Sequence, residues 1–241
     1  MIKLLTSGGL GDAVMSFAKA EKLNIDRNNF IVYHARIRED NLDNTIVDFY
    51  SSQGITSKIV RVHNDNKRKH QGEVLDDWLL ENLKRYNYYL GTHWSANNGS
   101  YSRLDSWEID PFPKVKYSKT NDCKILLNPS SGGTEDVKKS FDQKQIEKFL
   151  DKYPETVIIG KGNDIQYEKF SNSLYNKTSM KDLVNLIASS EVVVSPEGFV
   201  PYFAGMCGKT VYVKDENIKA IENRKHPEWD FNIINTIEDI P

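Results

Sequence analysis

The sequence predicts an α/β protein made of two parallel-sheet halves of similar size. Three observations predict it. Short apolar runs alternate with segments of helical apolar spacing along most of the chain, which is the pattern of parallel strands joined by helical crossovers. The alternation breaks once, at 92–122, in a stretch rich in aromatic, Ser, Asn and Pro residues that contains "DPFP". The length, 241 residues, suits two small domains or one large one and buries a sizeable core. We expect a first domain over 1–95, a connection with a cleft-lining loop over 96–122, and a second domain over 123–241.

The first half opens with an apolar strand over 1–5. "SGGLGDAVMSFAKAE" (7–21) follows, turning into a helix after Asp12. Strands are expected at 31–34, 59–62 and 88–91, with helices at 42–53 and 74–85 between them. "NDNKRKHQG" (64–72) is polar and charged and reads as a solvated loop. In the second half, strands are expected at 124–127, 156–159 and 191–195, with a last one at 210–213. Helices are expected at 142–152, 165–173, 180–189 and 199–206. Ser179 is placed to cap the helix at 180. In such open sheets a ligand lies beyond the carboxyl ends of the strands, so the two halves are expected to face each other across a cleft.

Composition narrows the function. Apolar residues make up 39% and charged residues 27% of the chain, and mean hydropathy is −0.58. The net charge of −2 supplies no global field toward nucleic acid or membrane, and the basic run at 67–70 is too short to change that. No apolar run approaches a membrane span, and no secretory signal pattern opens the sequence. Cys123 and Cys207 form no C-x-x-C pair, which fits free thiols in a cytoplasmic protein. No D-x-D occurs, and the five histidines show no H-E-x-x-H spacing, so no metal or cofactor is expected.

The chemistry-bearing loops all follow strands. The glycines of "SGGLGD" serve a tight turn with Asp12 at the helix start, or they let a ligand approach Asp12. "NPSSGG" (128–133), "GKGND" (160–164), "TSM" (178–180) and "SPEGF" (195–199) combine Gly, Ser and Thr at strand ends and helix starts. Singly they are ordinary turns. Together they suit one side of a nucleotide-sized pocket.

Four segments carry a resemblance. "PEGFVPYFAGMCGK" (196–209), "NKTSMKDLVNLIASSEVVVS" (176–195), "LNPSSGG…KKSF…VIIGKGND" and the opening "SGGLGDAVMSFAKAEKL" occur in the order found in heptosyltransferase-like glycosyltransferases, glycosyltransferase family 9. The resemblance spans both halves. It implies a GT-B fold, in which two Rossmann-like domains face a cleft. It also implies an inverting, metal-independent transfer of a sugar from a nucleotide sugar, which binds the second half, to an acceptor hydroxyl at the first.

By that resemblance Asp12 matches the catalytic acid residue at the Gly-Asp step, and Lys139, before Phe141, matches the phosphate-binding lysine. Donor contacts are expected from Ser131, Gly132, Gly160, Lys161, Thr178, Ser179, Met180, Glu197, Gly198, Phe199 and Tyr202. Acceptor contacts are expected from Gly9, Gly11, His93 and Trp94. Backbone N–H groups of Gly198 and Phe199 suit a diphosphate, while Glu197 suits ribose or sugar hydroxyls. Each residue also has a plainer reading. Asp12 caps a helix, Lys139 is solvated with Lys138 able to replace it, Glu197 complements a helix dipole, and His93 and Trp94 pack beneath the connection. Tyr202 and Phe203 line core or cleft.

The sequence departs from the family in two ways. Tyr202 stands where a histidine is frequent, and the chain is short for the family, so the lipopolysaccharide-core acceptor is not carried over. A surface glycan is the default acceptor. The Lys- and Asn-rich composition also admits a phage source and a modified DNA base. Two other functions compete: a non-catalytic nucleotide binder, and a nicotinamide-dependent oxidoreductase using "GGLGD". The latter needs an acid at the end of the second strand, where His34 stands with Arg36 and Arg38 beyond it and Glu39 and Asp40 later.

Overall fold

A computed structural model describes residues 1–37, 42–63, 71–90, 109–120, 123–130, 140–162, 165–214 and 225–241. The chain divides into two compact units, Met1–Lys116 and Tyr117–Pro241.

The first unit is a four-stranded parallel sheet of order β3-β2-β1-β4. Its elements run β1 (Ile2–Ser7), α1 (Leu10–Lys22), β2 (Phe30–Arg36), α2 (Leu42–Ser52), β3 (Thr56–Arg61), α3 (Gln71–Asn82) and β4 (Tyr88–Tyr89). Adjacent residues Leu4 and Leu5 of β1 point to opposite faces, and both are fully buried, so this strand is covered on both sides. On α1, Ala13, Val14, Phe17 and Ala18 are buried, and the small residues allow close approach to the sheet. Asp12 in its first turn and Lys19 and Lys22 in its last complement the helix dipole. Phe17 meets Phe49 of α2 edge-on at 5.9 Å.

The segment 109–116 returns to this unit. Ile109 is buried, and the Asp110 N–H donates to the Ala18 carbonyl. The wholly buried Gln53 accepts from the Lys116 N–H at 2.8 Å.

The second unit is a five-stranded parallel sheet of order β6-β5-β7-β8-β9. It contains β5 (Ile125–Leu127), α4 (Gln143–Lys152), β6 (Val157–Ile158), α5 (Met180–Ser189), β7 (Val192–Pro196), α6 (Phe199–Met206), β8 (Thr210–Lys214) and β9 (Phe231–Ile234). Asp142 caps α4 by accepting from the Lys144 and Gln145 N–H groups. Ser179 caps α5 in a reciprocal box with Asp182. The core gathers Leu127, Phe141, Ile146, Phe149, Ile158, Tyr167, Tyr175 and Val194.

The α/β architecture with a parallel sheet in each unit is the one expected. Several expected elements are corrected. β3 begins at Thr56, three residues earlier than the apolar run indicates, because an edge strand tolerates the exposed Thr56 and Lys58. Helix α3 begins at Gln71, inside the stretch read as loop, and gives way to a 3-10 turn over Leu83–Arg85. The helix expected at 165–173 is a 3-10 turn over Ile165–Lys169, after which Ser173 bridges to Ile158. Thr210–Lys214 is not the last strand, since β9 pairs beside it. Among the described residues, no helix is long and apolar enough to cross a membrane.

Candidate functional site

In each sheet the chain leaves its first strand in one direction and later returns to that strand's other side. In the first unit it runs β1, β2, β3 and comes back to place β4 beside β1. In the second, β5 leads to β6, and the chain then places β7 on the opposite flank of β5. The gaps between β1 and β4, and between β5 and β7, are therefore topological switch points, where loops diverge and open sheets take their ligands. Gly8–Asp12 leaves β1 at the first. Asn128 and Glu197–Gly198 leave β5 and β7 at the second.

At the first switch point Gly9 is the N-cap of α1, and Asp12 is its third helical residue. Asp12 is therefore not the cap. Its carboxylate Oδ2 accepts the Gly9 N–H at 2.7 Å. Gly8 sits at φ +106°, and a Cβ there would come within 2.6 Å of the Asp12 Cγ, so only glycine lets the carboxylate lie against the loop. The Gly8 carbonyl accepts from His34 Nε2 at 3.1 Å and Arg36 Nη1 at 3.0 Å. Arg36 Nε donates to Asp43 Oδ1 at 3.2 Å, and Asp43 also pairs with Arg61. Thus the end of β2, where a nicotinamide-binding sheet keeps a ribose-binding acid, holds two donors turned onto the Gly8 carbonyl. Burial pushes the His34 pKa down to about 4, against smaller raising effects of its Gly8 bond and of Asp12. The ring is neutral at neutral pH and donates from Nε2. Its Nδ1 is buried with no hydrogen-bond partner among the described residues.

At the second switch point Asn128 donates from Nδ2 to Ser195 Oγ at 3.0 Å, tying β5 to β7. Ser130 Oγ lies 3.2 Å from the Tyr175 hydroxyl. Gly198 is the N-cap of α6 at φ +152°, and among the described residues no heavy atom lies within 4 Å of where its Cβ would stand. The described residues therefore leave the side of Gly198 that a Cβ would take clear. The Tyr202 hydroxyl donates to Glu197 Oε1 at 2.9 Å, while its ring lies 6.2 Å from Phe231 and 6.4 Å from Trp229. Phe199 stacks on Phe203 at 5.6 Å.

Gly160 ends the β6 edge of this sheet, with the exposed Lys161 after it. Thr178, Ser179 and Met180 lie at the start of α5, the end of the helix nearest the carboxyl ends of the strands. The Ser179 hydroxyl is engaged with Asp182, donating to Oδ2 at 2.6 Å and accepting the Asp182 N–H at 3.1 Å.

The structure thus brings Gly160, Lys161, Thr178, Ser179, Met180, Glu197, Gly198 and Phe199 to one edge of the second sheet. It brings Gly9, Gly11 and Asp12 to the corresponding edge of the first. Ser131, Gly132, Lys138, Lys139, His93 and Trp94, like Arg38, Glu39 and Asp40, lie outside the described residues. The residues flanking 131–139 are described. The Phe141 N–H donates to the Pro129 carbonyl at 2.9 Å, and Lys214 Nζ donates to the Ser140 carbonyl at 2.6 Å. Lys214 also lies 5.5 Å from the Phe141 ring centre. Sequence reasoning passed over Lys214, and it met Asn128 only as the first residue of "NPSSGG". Their signal is position alone, at the last residue of β8 and the first after β5.

Solved structures share this architecture. A glycosyl transferase family 9 protein from Veillonella parvula DSM 2008 superposes with a TM-score of 0.57 over 98% of this chain and 86% of its own, at 10% identity. Heptosyltransferase WaaC of E. coli, solved with ADP, gives 0.53 over 97% of this chain and 90% of its own, at 9% identity. The ADP-heptose LPS heptosyltransferase II of E. coli gives 0.53 over the same shares, at 8% identity. The fold is GT-B. At these identities the likeness is one of fold. No family model matches the chain, and no curated protein matches its sequence. In this GT-B chain, "SGGLGD" and "SPEGF" each occupy the switch point of a different sheet.

Proposed function

We propose that the chain is an inverting, metal-independent glycosyltransferase that moves a sugar from a nucleotide sugar to an acceptor hydroxyl. One observation carries this reading: two separate Rossmann-like sheets each present a distinctive loop at their switch point. One loop carries a carboxylate, and the other opens a helix at Gly198, where an added Cβ would meet no described atom within 4 Å. An enzyme with two substrates uses such a pair. A fold-level analogy supports it, since one solved GT-B structure holds ADP.

In the proposed reaction the acceptor oxygen attacks the anomeric carbon as the bond from that carbon to the diphosphate breaks. The acceptor proton passes to Asp12, and the diphosphate leaves with the bonding electron pair. Asp12 acts by placement as much as by basicity. Charge on the diphosphate is met by N–H groups of Gly198 and Phe199 at the start of α6 and by Lys139. Glu197, held by Tyr202, accepts from ribose or sugar hydroxyls. Tyr202 stands where the family histidine is frequent, and its single O–H is directed to Glu197. The remaining donor contacts are Ser131, Gly132, Gly160, Lys161, Thr178, Ser179 and Met180, and those to the acceptor are Gly9, Gly11, His93 and Trp94. The acceptor is a surface glycan, or a modified DNA base if the source is a phage. No cofactor takes part, and the reaction takes place in the cytoplasm.

The test is thermal unfolding with a nucleoside diphosphate in the presence of chelator. Ligand at 100 times its Kd adds about 2.7 kcal/mol to the stability of the folded state. A shift that chelator abolishes overturns metal independence. A Lys139→Ala variant that binds as tightly as the parent removes Lys139 from the site.

A further inference from the structure

We propose that Arg36, together with His34, is a positioning residue that holds the Asp12 carboxylate through the single peptide unit joining Gly8 to Gly9. The proposal rests on the reading of Asp12 as the base, and its test separates the two.

The geometry is that of one flat amide used on both edges. A trans peptide is planar, so its C=O and N–H point in opposite directions, and the described chain contains no cis bond. The carbonyl edge of this unit, on Gly8, accepts from His34 Nε2 and Arg36 Nη1. The N–H edge, on Gly9, donates to Asp12 Oδ2 at 2.7 Å. Turning the carbonyl toward β2 therefore turns the N–H toward Asp12. A cationic donor on the carbonyl also polarises the amide and strengthens its N–H as a donor.

The anchor is itself fixed. Arg36 is a residue of β2, and its Nε is held by Asp43, a buried carboxylate that also pairs with Arg61. His34 is wholly buried in the same strand. Because its partner is a carbonyl, Nε2 must carry the proton, and the ring has one tautomer. With Oδ2 of Asp12 tied to Gly9, rotation about the last side-chain bond is arrested, and the direction of Oδ1 is set. A base so held meets a hydroxyl in one orientation.

A purely structural role for Arg36, closing the β1–α1 turn, predicts different behaviour in a mutant cycle. The experiment uses the full chain as parent, R36Q, R36K, D12N and the R36Q/D12N double variant. With 15N-glycine labelling, amide hydrogen exchange at Gly9 is read by NMR. It is expected to be protected in the parent and to exchange about tenfold or more faster in R36Q, as befits the loss of support for a bond to a charged acceptor. R36K, which keeps a cationic donor, should lie nearer the parent. In donor hydrolysis or transfer, R36Q should lower kcat by about 10–100-fold with nucleoside-diphosphate affinity unchanged. In the D12N background R36Q should cost nothing further, because both changes remove the same element.

A folded R36Q with parent-like Gly9 exchange overturns the proposal. So does an R36Q cost that repeats in full in the D12N background. If R36Q does not fold, R36M, which keeps the apolar stem and lacks the donors, takes its place in every arm. A parent that neither binds nucleoside diphosphate nor turns over donor defeats the glycosyltransferase reading, while Gly9 exchange still decides whether Arg36 holds the peptide.

Discussion

Gly198→Ala separates a backbone requirement from a ligand requirement. Gly198 holds φ +152° and ψ −152°, and an added Cβ would meet no described atom within 4 Å. Overpacking is therefore absent, and the fold pays only backbone strain, of order 1–3 kcal/mol. Urea unfolding of the ligand-free protein should show this as a lower midpoint with an unchanged slope. Ligand binding should respond differently. If a diphosphate approaches the start of α6 here, the methyl occupies its path. At ligand 100 times the parent Kd, the parent gains about 2.7 kcal/mol, while a site weakened 100-fold gains only about 0.4 kcal/mol. The assay is the midpoint difference with and without nucleoside diphosphate, at one ligand concentration, for both proteins. A variant that loses stability when free yet keeps the full ligand increment refutes the placement of the diphosphate at Gly198.

Asp12→Asn should fold normally, because the amide oxygen still accepts the Gly9 N–H, and should lower transfer by about 10²–10⁴. Full transfer activity would exclude Asp12 as base and move attention to His93. Tyr202→Phe removes the donor to Glu197. It should cost about 1 kcal/mol in stability and weaken nucleotide-sugar binding in calorimetry more than binding of the bare diphosphate. His34 gives a pH dependence. Its pKa falls from 6.5 to about 4 on folding because burial disfavours the charged ring, so between those values the unfolded chain holds more protons. Stability is therefore fully present above pH 6.5 and declines as pH falls toward 4, by up to about 3 kcal/mol. Urea midpoints from pH 7.5 to 4.5 measure it, and His34→Gln should flatten that decline.

The central strands were legible because they are apolar on both faces. The β-branched run of β7 and the Leu-rich run of β1 announce themselves. Edges are harder to read. β3 starts on polar residues, and β9 is four residues long with Asn232 inside it, so its alternation barely exceeds that of a loop. At 165–173, Tyr167 and Phe170 have helical spacing, but both serve core packing around a 3-10 turn. At the site, glycine and acid at the ends of strands were readable as residue types. The role of Arg36 was not. It lies 28 residues from Gly8, and what joins them is the orientation of a peptide plane, which no local window of sequence encodes. The Gly9 bond to Asp12 was similarly hidden, because the sequence suggests an acid capping from in front and the structure puts it three residues inside the helix.

The sheet margins carry a consequence for how molecules of this chain meet one another. An unpaired strand is a template for a strand from a second molecule, and its danger grows with length and flatness. Here β4 and β6 are two residues long, and Ile158 of β6 is already bridged to Ser173. β9 offers four residues with a polar one inside. The longest margin, β3, carries Lys58 and Arg61, and burying either against an incoming backbone would mean desolvating a cation. Substituting both with valine would leave β3 uncharged with four apolar residues in a row, and intermolecular β-pairing should then appear as fibrillar aggregates at protein concentrations the parent tolerates.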